Sequence, residues 1–166
     1  MGFSPKTNQY HNVSFNISIM SYVKIWIHFV FATKNRQPVL AKKIRLELFR
    51  HIRENTRKKS IWLDRINGYS DHAHCLISLG KDQSISKIAQ LIKGESSNWL
   101  NKQGFFKTKF LWQDDYFAVS VAESQLNVIR TYIENQEDHH QIKQFSEEVD
   151  EFIAKYGWNK DKKELG

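Results

Sequence analysis

Along the chain, short apolar runs alternate with longer stretches in which apolar residues return every three or four positions. Residues 22–33 (YVKIWIHFVFAT) are β-branched and aromatic almost throughout and predict a long strand. Lys34-Asn35-Arg36-Gln37-Pro38 reads as a turn. Residues 41–59 predict a helix, with Ile44, Leu48 and Ile52 on one stripe and Phe49 beside it. Two strands, 61–69 and 72–79, form a predicted hairpin around Ser70-Asp71. A second helix is expected over 84–102, turning Ile85, Ile88, Ile92 and Trp99 inward. Residues 105–121 hold one or two short strands, including 116–121. A third helix is expected over 123–140, capped near 122–124, with Leu126, Ile129 and Ile133 as its core stripe. A fourth, over 146–156, turns Val149, Phe152, Ile153 and Tyr156 inward, with Ser146 as its N-cap and Gly157 as its stop. The order β-α-β-β-α-β-α-α predicts an α+β fold, an antiparallel sheet with helices packed on it in a split β-α-β, ferredoxin-like arrangement. Many functions use that arrangement, so it decides none of them.

Residues 1–20 are polar and without period; they read as an N-terminal extension, with Met20 as an alternative start, and residues 21–166 read as one domain. Hydrophobic residues make up 40% of the 166 and aromatics 13%, enough for one sizeable core. No apolar run reaches the roughly 20 residues a membrane span needs, and the N-terminus lacks the charged-then-apolar pattern of a signal peptide. Cys75 is the one cysteine, which excludes an internal disulfide and fits a reducing cytosol, so the expected location is cytoplasmic. The net charge of +7 is uneven. Residues 41–60 carry Lys42, Lys43, Arg45, Arg50, Arg53, Arg57, Lys58 and Lys59 against Glu47 and Glu54, whereas the C-terminal stretch is acidic. A basic half attracts a phosphate backbone, although a solvated helix face has the same composition.

Two motifs add candidate chemistry. His72-Ala73-His74 lies at the start of a predicted strand, where side chains at i and i+2 share a face with Cα atoms about 6.7 Å apart. Two imidazoles so placed can lean toward one divalent cation, while Ala73 and Cys75 face a core. A histidine ligand needs an acceptor on its other nitrogen, and Asp71 and Asp64 are the candidates. Downstream, Tyr132 and Gln136 in Tyr132-Ile133-Glu134-Asn135-Gln136 are i and i+4 on one helix face, a pairing able to supply a nucleophile and a metal ligand. Taken singly, each motif is more often structural. On softness alone two imidazoles and an amide suit several transition metals. His28, mid-strand among apolar residues, reads as a satisfied core histidine, and His139-His140 as solvated or DNA-facing. Lys34, Arg36, Lys42, Lys43 and Arg45 follow the first strand, and Lys102, Lys107 and Lys109 bracket Phe105, Phe106, Phe110 and Trp112. Basic groups track phosphates while exposed aromatics stack unpaired bases; most of these aromatics are expected in the core. There is no Gly-rich phosphate loop, no Cys-rich zinc pattern and no Gly-x-Ser-x-Gly elbow.

The His72-Ala73-His74 strand, the Tyr132-to-Gln136 helix and the strand-turn Phe29-Val30-Phe31-Ala32-Thr33-Lys34-Asn35-Arg36-Gln37-Pro38 stand in the order found in the single-tyrosine HUH (His-hydrophobic-His) transposases of IS200-like bacterial insertion sequences, which the chain resembles over roughly 22–156. Trp112-Gln113-Asp114-Asp115-Tyr116-Phe117 and Asn135-Gln136-Glu137-Asp138-His139-His140 add to the likeness. The resemblance implies a metal-dependent transposase of HUH nuclease fold. Its metal, Mg2+ or Mn2+, would be held by His72, His74 and Gln136. Tyr132 would attack a scissile phosphate, leaving a 5′-phosphotyrosine and a free 3′-OH. The implied substrate is single-stranded DNA with hairpins, contacted by Lys34, Arg36, Lys42, Lys43, Arg45, Lys107 and Lys109. It also implies a homodimer in which the tyrosine helix of one subunit can complete the histidine site of the other. Two rival readings use the same residues: a domesticated nuclease acting on repetitive hairpins, and a non-catalytic DNA- or RNA-hairpin-binding module.

Overall fold

The computed structural model describes residues 22–139. The expected extension at 1–20, His140 and the fourth helix over 146–156 lie outside them. In chain order the elements are β1 (Ile25–Ala32), α1 (Lys42–Lys58), β2 (Trp62–Gly68), β3 (His72–Leu79), α2 (Ile85–Gln103), β4 (Phe117–Val121), α3 (Leu126–Glu134) and the short α4 (Gln136–His139). The four strands form one sheet in the order β2-β3-β1-β4, every neighbouring pair antiparallel. This is the expected α+β arrangement. No helix among the described residues is long and apolar enough to cross a membrane.

The sheet is covered on both faces, which is why β1 and β3 read as near-continuous apolar runs rather than as alternations. Ile27, Phe29, Phe31, Ala73, Cys75 and Ile77 face α1 and α2, packing with Leu48, Phe49, Ile52, Ile88 and Ile92. On the opposite face Leu76 and Val121 meet Leu126, Ile129 and Ile133 of α3. His72 and His74, sharing the parity of Leu76, therefore point toward α3.

Ser84 caps α2 through its hydroxyl, which accepts the Lys87 N–H at 3.3 Å, and Gly104 ends that helix at φ 70°. Strand β1 is shorter than the sequence suggests because its partner β3 ends at Leu79, opposite Ile25. The 105–121 region contributes β4 and a single bridge from Trp112 to Thr33. The expected long third helix is divided: a 3-10 turn at Glu123–Gln125 precedes α3, and Asn135 (φ −93°, ψ 19°) separates α3 from α4.

The β2–β3 hairpin closes tightly. A Cβ on Gly68 would stand 2.2 Å from the His72 carbonyl oxygen, so only glycine fits there. The hairpin tip is stitched to the loop after β1, with Thr33 N–H donating to the Asp71 carbonyl and Leu40 N–H to that of Ser70, both at 2.8 Å.

Candidate active site

The first residues of β3 are enclosed. His72 is 0% exposed and His74 2%, with ring centroids 5.0 Å apart and planes at 81°. Asp71, one residue earlier, places Oδ1 2.6 Å from His72 Nδ1. Arg36 donates to Oδ2 of the same carboxylate from Nη2 (2.7 Å) and Nε (3.2 Å). Its position follows from a sharp turn in which Asn35 and Arg36 take φ of 53° and 56°. Burial pushes the Asp71 carboxyl up, but the hydrogen bonds and charges of His72 and Arg36 outweigh it and hold it at about 2. An ionised carboxylate only accepts, so His72 carries its proton on Nδ1 and turns Nε2 inward.

His74 is oriented by a different partner. Its Nδ1 lies 3.0 Å from Nε2 of His28, a fully buried β1 residue whose imidazole burial pushes down to about 3. His28 is thus neutral near pH 7. The ring nitrogen of His74 on the side away from His28 is Nε2.

Helix α3 brings the second half of the site. At nine residues it is too short to persist alone, and it is held by burying Leu126, Ile129 and Ile133 on the sheet. Polar clasps fix its register: Arg65 Nε to Glu134 (2.6 Å), Asn67 Nδ2 to the Glu134 carbonyl (2.9 Å) and Arg130 Nε to Asp64 (2.7 Å). Asp64 serves this clasp and Asp71 is the carboxylate on His72. Tyr132 stands edge-on to His74 and His28, with centroids 5.5 and 6.0 Å apart. Gln136, just past the break, is fully buried. Its Nε2 donates to the Tyr132 carbonyl at 3.3 Å, which aims Oε1 at His72 Nε2, 3.4 Å away. The four residues singled out from sequence therefore converge within one chain, and Tyr132 and Gln136 keep a common side although the helix is interrupted between them.

The donor chemistry fits a cation. With His72 donating from Nδ1, a neutral ring turns the Nε2 lone pair toward the Gln136 carbonyl lone pair. Two lone pairs that close repel unless a positive centre lies between them: a metal ion, or a proton if the ring is charged. His72 and Gln136 each present one donor atom, and His74 Nε2 is the third candidate. Among the described residues no group of three or more His, Cys, Asp or Glu could hold a metal ion; this donor set differs in having a carboxamide as its third member.

The basic residues divide into two groups. Lys43, Lys107 and Lys109 are exposed. Lys34 pairs with Asp114 at 2.8 Å and shares a cleft with Thr33, Phe106 and Lys109; Lys42 pairs with Glu137 at 2.7 Å. Arg45, expected at DNA, is instead 5% exposed and donates to Glu137 at 2.6 Å and to the Leu40 carbonyl at 3.4 Å, so its charge braces α4. Arg36 is committed to Asp71, so its contribution passes through His72. Of the bracketed aromatics, Phe110 and Trp112 are core. Tyr116 packs on Phe29 at 5.3 Å, toward the α1/α2 face and away from the histidines. His28 and Arg36 are the contributors sequence reasoning placed elsewhere. The parity of β1 against β3 was the available signal for His28; for Arg36 there was none, because its reach depends on two positive φ values.

Residues 21–136 match the family model described as "Transposase IS200 like". No curated protein matches the chain. Among solved structures, the chain is similar to a crystal structure of a candidate transposase from Deinococcus radiodurans R1, with 23% identity and a TM-score of 0.58 over 80% of this chain and 98% of that one. It is also similar to a REP-associated tyrosine transposase bound to a REP hairpin, with 17% identity and a TM-score of 0.54 over 93% of this chain and 77% of that one.

Proposed function

The chain belongs to the IS200-like transposase family, and from that premise we propose that it cleaves and rejoins single-stranded DNA at hairpin-containing ends through a 5′-phosphotyrosine intermediate. The observation that carries this reading is the meeting of Tyr132 with His74, centroids 5.5 Å apart, beside the facing Gln136 and His72 donors. In the proposed step the Tyr132 oxygen attacks phosphorus. A Tyr–O–P bond forms, the bond from phosphorus to the 3′ oxygen breaks, and the tyrosine proton is lost as the 3′-OH gains one. The phosphodiester's energy is kept in the protein link, so a later 3′-OH can reverse the step without a nucleotide cofactor. A divalent ion held by His72, His74 and Gln136, Mg2+ or Mn2+, would polarise the scissile phosphate and ease ionisation of a tyrosine whose usual pKa is about 10.

The chain's own residues supply the rest. Asp71 and His28 hydrogen-bond to the imidazoles of His72 and His74, Gln136 ties the donor set to the Tyr132 backbone, and Tyr132 is partly exposed. A hairpin substrate is supported by likeness in fold to a protein seen with a REP hairpin and by the +7 charge. The reading includes a homodimer. Incubation of the protein with a labelled single-stranded hairpin and Mn2+ or Mg2+ tests it. A covalent protein–DNA adduct is expected, lost in Tyr132→Phe and in His72→Ala. Full adduct formation in both variants contradicts the assignment, and transfer to a second strand separates a transposase from a hairpin nuclease.

A further inference from the structure

We propose that His28 is a positioning residue that fixes the tautomer of His74 and so leaves its Nε2 lone pair for a cation shared with Gln136 and His72; this rests on the metal-site reading above. The two residues sit on adjacent strands with one parity. His28 is opposite Leu76 and His74 opposite Val30, so the imidazoles are diagonal neighbours on the α3 face. His28 is 0% exposed and His74 2%, and their near nitrogens are 3.0 Å apart. The rings lie 21° from parallel with centroids 5.2 Å apart, so they meet edge to edge in nearly one plane, as a ring-to-ring hydrogen bond requires.

Two neutral imidazoles in this contact share one proton. If His28 Nε2 accepts, His74 holds the proton on Nδ1 and leaves an Nε2 lone pair for a cation. The opposite assignment puts a proton on His74 Nε2 and blocks coordination. His72 obtains the same tautomer from Asp71, an anion 2.6 Å away. The two donors therefore have unlike orienters. A neutral acceptor turns His74 without adding a second carboxylate beside the phosphodiester, where it would repel the substrate. His28 also stands edge-on to Tyr132, centroids 6.0 Å apart, so one ring braces the nucleophile and a ligand together.

The test has two readouts besides activity. In metal-free protein labelled with 15N-histidine, imidazole nitrogen shifts should report His74 as the Nδ1–H tautomer. A His74 Nε2–H tautomer overturns the proposal and needs no variant to be folded. In a Tyr132→Phe background, Mn2+ titration followed by electron paramagnetic resonance should show binding roughly 10–100-fold weaker in His28→Phe, with recovery in His28→Gln, whose carboxamide oxygen again accepts. Binding in folded His28→Phe equal to that of the parent, while His74→Ala abolishes it, reduces His28 to a core filler. Equal binding in the parent and in His74→Ala removes the metal site itself, and the proposal with it.

Discussion

At His72 a single hydrogen bond decides what the ring can offer. Asp71 accepts the hydrogen bond from His72 Nδ1–H at 2.6 Å, and Arg36 in turn holds Asp71 at 2.7 Å, so charge two residues deep sets which nitrogen faces Gln136. Replacing Asp71 by alanine removes the acceptor and leaves the imidazole free to change tautomer. The expected result is roughly 10–100-fold weaker Mn2+ binding with a parallel loss of adduct formation; an unchanged Mn2+ isotherm would show that Asp71 matters only to the hairpin tip. The same reasoning separates the two arginines among the expected DNA contacts. Arg36 acts on the site through Asp71, whereas Arg45 is spent on Glu137 and the Leu40 carbonyl.

Among the elements, α3 is the one on which the site depends most, because it carries Tyr132 and leads into Gln136. Ile133 is fully buried in the small cluster between α3 and the sheet. Ile133→Ala should cost roughly 2–5 kcal/mol of stability, read as a lower denaturant midpoint at unchanged slope, and should displace Tyr132 from His74. A change below about 0.5 kcal/mol, the range of ordinary surface substitutions, would mean that α3 is not held by that face. This stripe was legible in the sequence because Leu126, Ile129 and Ile133 repeat at helical spacing. So were β1, α1, the hairpin and α2, whose periodicities are long or strongly apolar. The break at Asn135 was not, since no glycine or proline marks it. Nor was the commitment of Arg36, Lys42 and Arg45 to carboxylates distant in sequence, because charge pattern along a chain does not record which acid folds against which base. The histidine pair and the Tyr132–Gln136 face were legible as separate motifs. Their convergence is a property of the sheet order, which puts β3 beside β1 and under α3.

For the whole molecule, the arrangement concerns how many chains make one site. Tyr132, His28, His72, His74 and Gln136 meet within a single chain. If catalysis uses that arrangement, mixing Tyr132→Phe protein with His72→Ala protein regenerates no complete site, and the mixture should stay as inactive in cleavage as either variant. Restored cleavage would mean that the tyrosine of one subunit serves the histidines of another. The exposed Lys43, Lys107 and Lys109 and the net charge of +7 suit an extended polyanion in either case.

The central claim, that Tyr132 is the nucleophile of a phosphoryl transfer, is tested most directly by locating the DNA link. After reaction with a single-stranded hairpin and Mn2+, nuclease trimming and proteolysis, mass spectrometry should find a nucleotide mass on the peptide containing Tyr132, at that residue's oxygen. A link at Tyr116 or Tyr22, or cleaved DNA with no protein-linked nucleotide, would contradict the account.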